Sequence, residues 1–111
     1  MVARYVPEAG DIVWLQFDPQ AGHDQAGHRP ALVVSPSAYN AKTGLLICCP
    51  MTTHIKGYPF EVMIAGERPS AALADQVKSL DWVARKARHK GKVSAVELTE
   101  VRGKIIALVG R

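Results

Sequence analysis

The sequence predicts a mainly β domain closed by a helix at its C-terminus. Several runs of roughly four to eight apolar or alternating residues are separated by Gly, Pro and polar residues, which is typical of strands. The last part of the chain instead repeats its apolar residues at helical spacing. Many short strands followed by one helix predict a compact, curled sheet that the helix, over residues 94–109, closes.

The bulk properties indicate one ordinary globular domain. The chain has 111 residues, of which 48% are hydrophobic, enough for a single domain over 1–111 with a single core. No apolar run approaches the roughly 20 residues that a membrane span needs. The N-terminus lacks the apolar stretch of a signal peptide. We therefore expect a cytoplasmic protein without a membrane partner.

Three strands are predicted in the first half of the chain. Residues 11–17 alternate polar and apolar side chains. A polar loop over 18–28 follows, and loops of this length are often functional. Two apolar runs come next, at 29–35 and 45–52, joined by a short connection with turn residues at both ends.

The second half predicts further strands and the helix. Residues 60–65 read as a fourth strand, 71–82 as one or two more with a break near Asp75, and 84–93 as extended chain. Ser94 and Glu97 have the spacing of a helix capping box. Apolar residues then recur at helical spacing, at Leu98, Val101, Ile105 and Leu108. Gly110 follows them and is expected to end the helix.

The two apolar runs can pair so that Arg29 meets Thr52. In an antiparallel pair with Ser35 facing Leu46, Arg29 faces Thr52, and directly opposed side chains lie roughly 5 Å apart. An arginine offers a fixed fork of donors that matches phosphate oxygens. This spacing predicts a site for phosphate chemistry at the end of the sheet. The plainer alternative is a solvated arginine and a threonine that simply favours strands.

Positive charge is concentrated in one stretch. The net charge is +4 and the pI is about 9.3, and no acidic residue occurs between Asp81 and Glu97. The basic residues of this stretch are Arg85, Lys86, Arg88, Lys90 and Lys92. Such a cluster is typical of proteins with a polyanionic partner, although a solvated charged hairpin is the alternative.

No metal or cofactor is expected. Cys48 and Cys49 are adjacent in a predicted strand, so they point to opposite faces and are poor disulfide partners. The histidines do not supply a recognised pattern of zinc ligands; they are His23, His28, His54 and His89.

Four strings resemble the MazF/PemK family of toxins over about residues 5–110. They are GDIVW (10–14), QAGHRPA (25–31), KGYPFEV (56–62) and ADQVKS (74–79). The resemblance implies an SH3-like barrel with a C-terminal helix. It also implies an endoribonuclease of a toxin–antitoxin pair that cuts single-stranded RNA at short sequences without a metal ion. The catalytic residues of the family fall on Arg29 and Thr52.

The chemistry of RNA suits such a pair. The 2′-hydroxyl can attack the adjacent phosphorus and give a 2′,3′-cyclic phosphate and a free 5′-hydroxyl. Arg29, held extended by Pro30, would stabilise the developing charge. Thr52, whose β-branched side chain is stiff, would donate to a phosphate oxygen or orient the 2′-hydroxyl.

Further site residues are predicted with less specific support. The candidates for catalytic support are His28, a possible general base next to Arg29, Asp24, where the family carries a glutamate, and Asp75. Trp14 is expected in the core. The candidate RNA-binding residues are Phe17, Gln25, Lys56, Tyr58, Gln76, Lys78, Arg85, Lys86 and Arg88.

The resemblance also implies protein partners. These are a second copy of the chain in a homodimer and a cognate antitoxin with an acidic, disordered tail. Two other functions compete with RNA cleavage. One is a non-catalytic poison of a protein such as DNA gyrase on the same fold. The other is a plain nucleic-acid-binding barrel, which the basic stretch alone would support.

Overall fold

The computed structural model describes residues 4–17 and 27–110. In these residues, seven strands and two helices follow one another along the chain. They are β1 (Asp11–Gln16), β2 (His28–Val33), α1 (Ser37–Thr43), β3 (Leu45–Thr52), β4 (Glu61–Ile64), β5 (Ser70–Leu73), β6 (Lys78–Asp81), β7 (Arg88–Lys92) and α2 (Ala95–Val109). A short 3-10 turn, Ala74–Gln76, joins β5 to β6.

The strands form one antiparallel sheet in the order β4-β5-β3-β2-β1-β7. The long strand β3 has two neighbours along one of its sides. Its residues 45–48 pair with β6, whereas Met51 and Thr52 pair with β5. This change of neighbour curls the sheet. The expected fold, a curled sheet closed by a C-terminal helix, is confirmed.

Side chains on the two faces of the sheet form two hydrophobic clusters. One lies beneath α2, where Val101 has no exposed surface, and the other surrounds Trp82. Cys48 and Cys49 belong to different clusters and are both free thiols, as the alternation of strand side chains predicts. Burial raises the pKa of each thiol to about 12, so neither is a reactive thiolate at neutral pH.

The helix α2 begins with the expected capping box. The Glu97 amide donates to the Ser94 hydroxyl at 3.1 Å, and the Ser94 amide donates back to the Glu97 carboxylate at 2.8 Å. The same carboxylate accepts a hydrogen bond from the Ala65 amide at 2.7 Å. Glu97 therefore ties the chain after β4 to the start of α2. The helix ends just before Gly110, as predicted.

The connection between β2 and β3 is a helix, which the sequence analysis missed. In α1, Asn40 is fully buried, and its amide nitrogen donates to the carbonyls of Pro7 at 2.9 Å and Ser35 at 3.1 Å. The Trp82 indole donates to the Asn40 carbonyl at 2.9 Å. These contacts with distant residues favour the helix, and a seven-residue segment has no apolar periodicity long enough to predict it.

The prediction of extended chain over 84–93 is wrong for the first half of this segment. The chain turns after β6, because the Asp81 carboxylate accepts from the Ala84 amide at 2.9 Å and the Asp81 carbonyl accepts from the Arg85 amide at 3.1 Å. Lys86 adopts a positive φ of 56° within this turn. Only the second half, from Arg88 to Lys92, forms a strand. In the described part of the chain, neither helix is long and apolar enough to cross a membrane.

Candidate active site

A cleft of about 760 Å³ opens where β2 and β3 separate. The two strands pair Val33 with Cys48 and Ala31 with Pro50, which confirms the predicted register. Pro50 has no amide proton to donate to a ladder, and the pairing of β3 with β2 ends at this residue. Continuing the register past Pro50 puts Arg29 opposite Thr52, and both residues line the cleft.

The Thr52 hydroxyl has a defined orientation. Its oxygen accepts a hydrogen bond from the His54 amide at 3.0 Å, so the hydroxyl proton is left to donate elsewhere. Thr52 is half-buried, whereas Arg29 is exposed and its backbone is paired with Leu15 of β1. A cation and a hydroxyl donor thus reach one cleft from neighbouring strands.

Trp14 lies in this cleft, so its predicted place in the core is wrong. Val13 and Leu15 are fully buried and belong to the cluster around Trp82. Successive strand residues point to opposite faces, so Trp14 points away from that cluster. It lines the cleft together with Lys90, whose ammonium lies 5.3 Å from the centre of the indole ring.

The chain between β4 and β5 forms another wall of the cleft. Arg68 and Glu67 line it there, close to Ala65, whose amide is held by Glu97. Among the described residues, Arg29, Lys90 and Arg68 are the cationic side chains that line the cleft, and Glu67 is the one carboxylate there. In the sequence, Lys90 is recognisable only as part of the basic stretch, and nothing in the local sequence marks Arg68.

Tyr58 and Asp75, both predicted site residues, are brought together by a hydrogen bond. The Tyr58 hydroxyl donates to the Asp75 carboxylate at 2.8 Å, which raises the pKa of Tyr58. The Glu61 carboxylate accepts from the amides of Lys56 and Gly57 at 3.0 and 2.7 Å. The backbone of this loop is therefore fixed, and the Lys56 side chain projects from it, exposed.

Phe17 and Lys78 also come together. The Lys78 ammonium lies 5.4 Å from the centre of the Phe17 ring, and the ring packs against the cluster around Trp82. The Arg85 guanidinium donates to the carbonyls of Gln16 at 3.0 Å and Phe17 at 2.8 Å. Arg85 thus holds the end of β1. The remaining RNA-binding candidates in the described residues are all exposed: Gln76, Lys86 and Arg88.

The candidates for catalytic support do not gather at the cleft within the described residues. His28 is half-buried in β2, opposite Gln16, and Asp75 is bound to Tyr58. Asp24 and Gln25 lie outside the described residues, so their predicted roles stay predictions. In 4–17 and 27–110, no three His, Cys, Asp or Glu side chains are grouped so that they could hold a metal ion.

The fold and the cleft define a small protein built on a curled antiparallel sheet, with cationic side chains in the cleft. An arginine and a hydroxyl donor sit where two strands separate, and two further cations line the same walls. Cationic side chains and hydroxyl donors are the groups that hold phosphate oxygens.

Comparison with known proteins agrees with this class. Residues 8–109 match the model of the PemK-like, MazF-like toxins of type II toxin–antitoxin systems. The chain is 57% identical to the endoribonuclease toxin MazF of Escherichia coli K12, over 99% of this chain and 100% of that protein. It is 31% identical to the Escherichia coli endoribonuclease PemK, over 92% of this chain and 81% of that protein.

Solved structures give the same result. MazF of Deinococcus radiodurans superposes with a TM-score of 0.86 at 52% identity, covering 97% of this chain and 100% of that one. The same toxin in a MazE–MazF complex gives a TM-score of 0.85 at 47% identity, covering 96% and 98%. This chain belongs to the PemK-like, MazF-like family of type II toxins.

Proposed function

We propose that this toxin is an endoribonuclease that cuts single-stranded messenger RNA at short sequences and so inhibits translation and growth. The observation that carries the proposal is the cleft at the fork of β2 and β3, which Arg29 and Thr52 both line. Relatives that share more than half of the sequence are endoribonucleases. Because the substrate is messenger RNA, the toxin acts in the cytoplasm.

The reaction uses the nucleophile that RNA carries. The 2′-hydroxyl attacks the adjacent phosphorus in line, a bond from 2′-oxygen to phosphorus forms, and the bond to the 5′-oxygen breaks. The 2′-hydroxyl loses its proton and the leaving 5′-oxygen gains one, so the products are a 2′,3′-cyclic phosphate and a 5′-hydroxyl. The protein has to align the attack and stabilise the charge that develops on the equatorial oxygens.

Arg29 and Thr52 divide this work. The Arg29 guanidinium donates to the phosphate oxygens, and a guanidinium keeps its positive charge at physiological pH. The Thr52 hydroxyl already accepts from the His54 amide, so its proton is directed to a second phosphate oxygen. These contacts need no metal ion, and the described residues contain no grouped set of metal ligands.

The proposed partners follow from the family and from the charge. Type II toxins are paired with an antitoxin, and the related Deinococcus toxin has been solved in a MazE–MazF complex. We propose a cognate antitoxin whose acidic, disordered tail occupies the cationic cleft and orders on binding. We also propose a homodimer with two-fold symmetry.

The proposal is tested with the purified protein and a long single-stranded RNA in excess EDTA. Cleavage should persist, and mass spectrometry should find 2′,3′-cyclic phosphate and 5′-hydroxyl ends. Ends with a 5′-phosphate, or loss of cleavage in EDTA, would contradict the mechanism. Intact RNA under all conditions would instead favour a non-catalytic poison such as one directed at DNA gyrase.

A further inference from the structure

Trp14 and Lys90 form an aromatic–cationic pair in the cleft that also holds Arg29 and Thr52. The Trp14 ring is half-buried, although its neighbours Val13 and Leu15 have no exposed surface. A tryptophan that served only to fill the core would be covered on all sides. This one instead presents part of its ring to the cleft.

A bulge in β7 sets the position of Lys90. Against β1, His89 pairs with Val13 and Gly91 pairs with Ile12. Lys90 is therefore the extra residue between two consecutive pairs. A bulge of this kind redirects a side chain and often lies beside a functional site. In this protein it accompanies an ammonium group 5.3 Å from the centre of the Trp14 ring.

The chemistry of the pair fits one nucleotide of a single strand. An indole presents a flat apolar surface on which any unstacked base can stack, and a neighbouring cation can bind the phosphate of the same nucleotide. In the structure the ammonium lies over the ring in a cation–π contact. A nucleotide supplies both surfaces at once, a base for the ring and a phosphate for the ammonium.

We propose that Trp14 and Lys90 form a nucleotide subsite that holds one base of the RNA strand beside the scissile phosphate. The inference rests on the proposed function, because the bound nucleotide is part of the RNA on which Arg29 and Thr52 act. The indole stacks on the base and the ammonium binds its phosphate. The pair thus fixes how the strand lies across the cleft.

The test uses the full chain and synthetic RNA that contains one cleavage site, mapped first on a long RNA. A 2′-deoxy nucleotide at the scissile position removes the nucleophile and allows binding to be measured without cleavage. A second series replaces each flanking nucleotide in turn by an abasic one. The variants are Trp14→Leu, Trp14→Phe and Lys90→Gln. The exposed Lys42 of α1 provides a matched control, Lys42→Gln.

Trp14→Leu should weaken binding of the complete RNA about 10-fold or more, and Trp14→Phe should weaken it less, since a phenyl ring still stacks. In the abasic series, one RNA should bind the parent and Trp14→Leu with equal affinity. This is the RNA that lacks the base which stacks on Trp14. Lys90→Gln should weaken binding and lower the salt slope by about 0.7, whereas Lys42→Gln should change neither. Thermal melts establish that each variant is folded.

Two results would overturn the subsite. One is unchanged RNA binding in folded Trp14→Leu and Lys90→Gln. This holds also if these variants lose only the binding of an acidic peptide, such as the tail of the antitoxin. The other is an equal effect of Trp14→Leu on every abasic RNA. Both are distinct from failure of the proposed function, in which the parent protein itself would leave RNA uncut.

Discussion

Arg85 and Arg88 lie three positions apart in the basic stretch but make different contacts. The Arg85 guanidinium is hydrogen-bonded to the carbonyls of Gln16 and Phe17. The Arg88 side chain is exposed on β7, where its backbone pairs with Trp14 beside the cleft. Their roles should therefore separate experimentally, although both were predicted to bind RNA.

Arg88→Gln should reduce the salt dependence of RNA binding, by a slope of about 0.7 for one lost phosphate contact, and leave the melting temperature unchanged. Arg85→Gln should lower the free energy of unfolding by about 1–3 kcal/mol, because two carbonyls lose a charged donor. Binding titrations from low to high salt and urea melts measure the two effects. Arg85 and Arg88 do not have separate roles if Arg85→Gln changes the salt slope of RNA binding as much as Arg88→Gln does and leaves the free energy of unfolding unchanged.

The site residues that one pair of strands brings together could be predicted from the sequence. The pairing of Arg29 with Thr52 can be predicted by counting along β2 and β3. Only the two apolar runs and the length of the connection between them are needed to predict this register. The prediction for Trp14 was wrong because alternation shows only that Trp14 points to the opposite face from Val13 and Leu15. It does not show which of the two faces is buried in the core. Lys90 could not be found, because a bulge is set by tertiary pairing rather than by local sequence.

The strands β1 and β7 are joined at one end by a buried carboxylate. Asp11 accepts from the Tyr5 hydroxyl at 2.6 Å and forms an ion pair with Lys92 at 3.0 Å. Burial raises the pKa of Asp11, but the hydrogen bonds from Tyr5, Lys92 and the Glu8 amide outweigh it, and the net effect lowers this pKa. Lys92 is the cross-strand partner of Asp11.

The lowered pKa of Asp11 predicts acid sensitivity. A carboxylate whose pKa is lower in the folded state stabilises the fold above its ordinary pKa of about 4, and this contribution is lost as the pH falls further. Asp11→Asn should therefore cost about 1–3 kcal/mol at pH 7. It should also flatten the decline in stability between about pH 5 and pH 3.

Urea melts of the parent and Asp11→Asn from pH 7 to pH 3 measure this dependence. Glu61 and Glu97 also have lowered pKa values, so some decline should remain in the variant. The exposed Glu100 of α2 provides the control, Glu100→Gln, which should follow the parent. Parallel curves for the parent and Asp11→Asn would show that Asp11 is not responsible.

Elements with a strong local pattern were predicted well. The strand β3 has the predicted bounds, and α2 begins and ends at its predicted caps. The helix α1 was missed because its stability comes from Asn40, which is buried against distant parts of the chain. The turn before β7 was missed because Asp81, which organises it, gave no distinct signal in the sequence.

For the whole molecule, the cleft draws its residues from distant parts of the chain. β2 and β3 supply Arg29 and Thr52, the segment after β4 supplies Arg68, and β7 supplies Lys90. Only the first two could be placed together from the sequence, because the order β4-β5-β3-β2-β1-β7 depends on long-range pairing. The resemblance to the toxin family supplied the fold that strand counting could not.

The proposed function requires that Arg29 and Thr52 act together on one transition state. Single-turnover cleavage rates of Arg29→Ala, Thr52→Val and the double variant test it most directly, with the exposed Thr99 of α2 as the control in Thr99→Val. Each of the two single variants, shown to be folded by thermal melts, should be slower by about 100-fold or more. The double variant should lose less than the product of the two losses, because both residues serve the same step. Cleavage at the parent rate by folded Thr52→Val would contradict this joint role, and so would a rate loss in the double variant equal to the product of the two single losses.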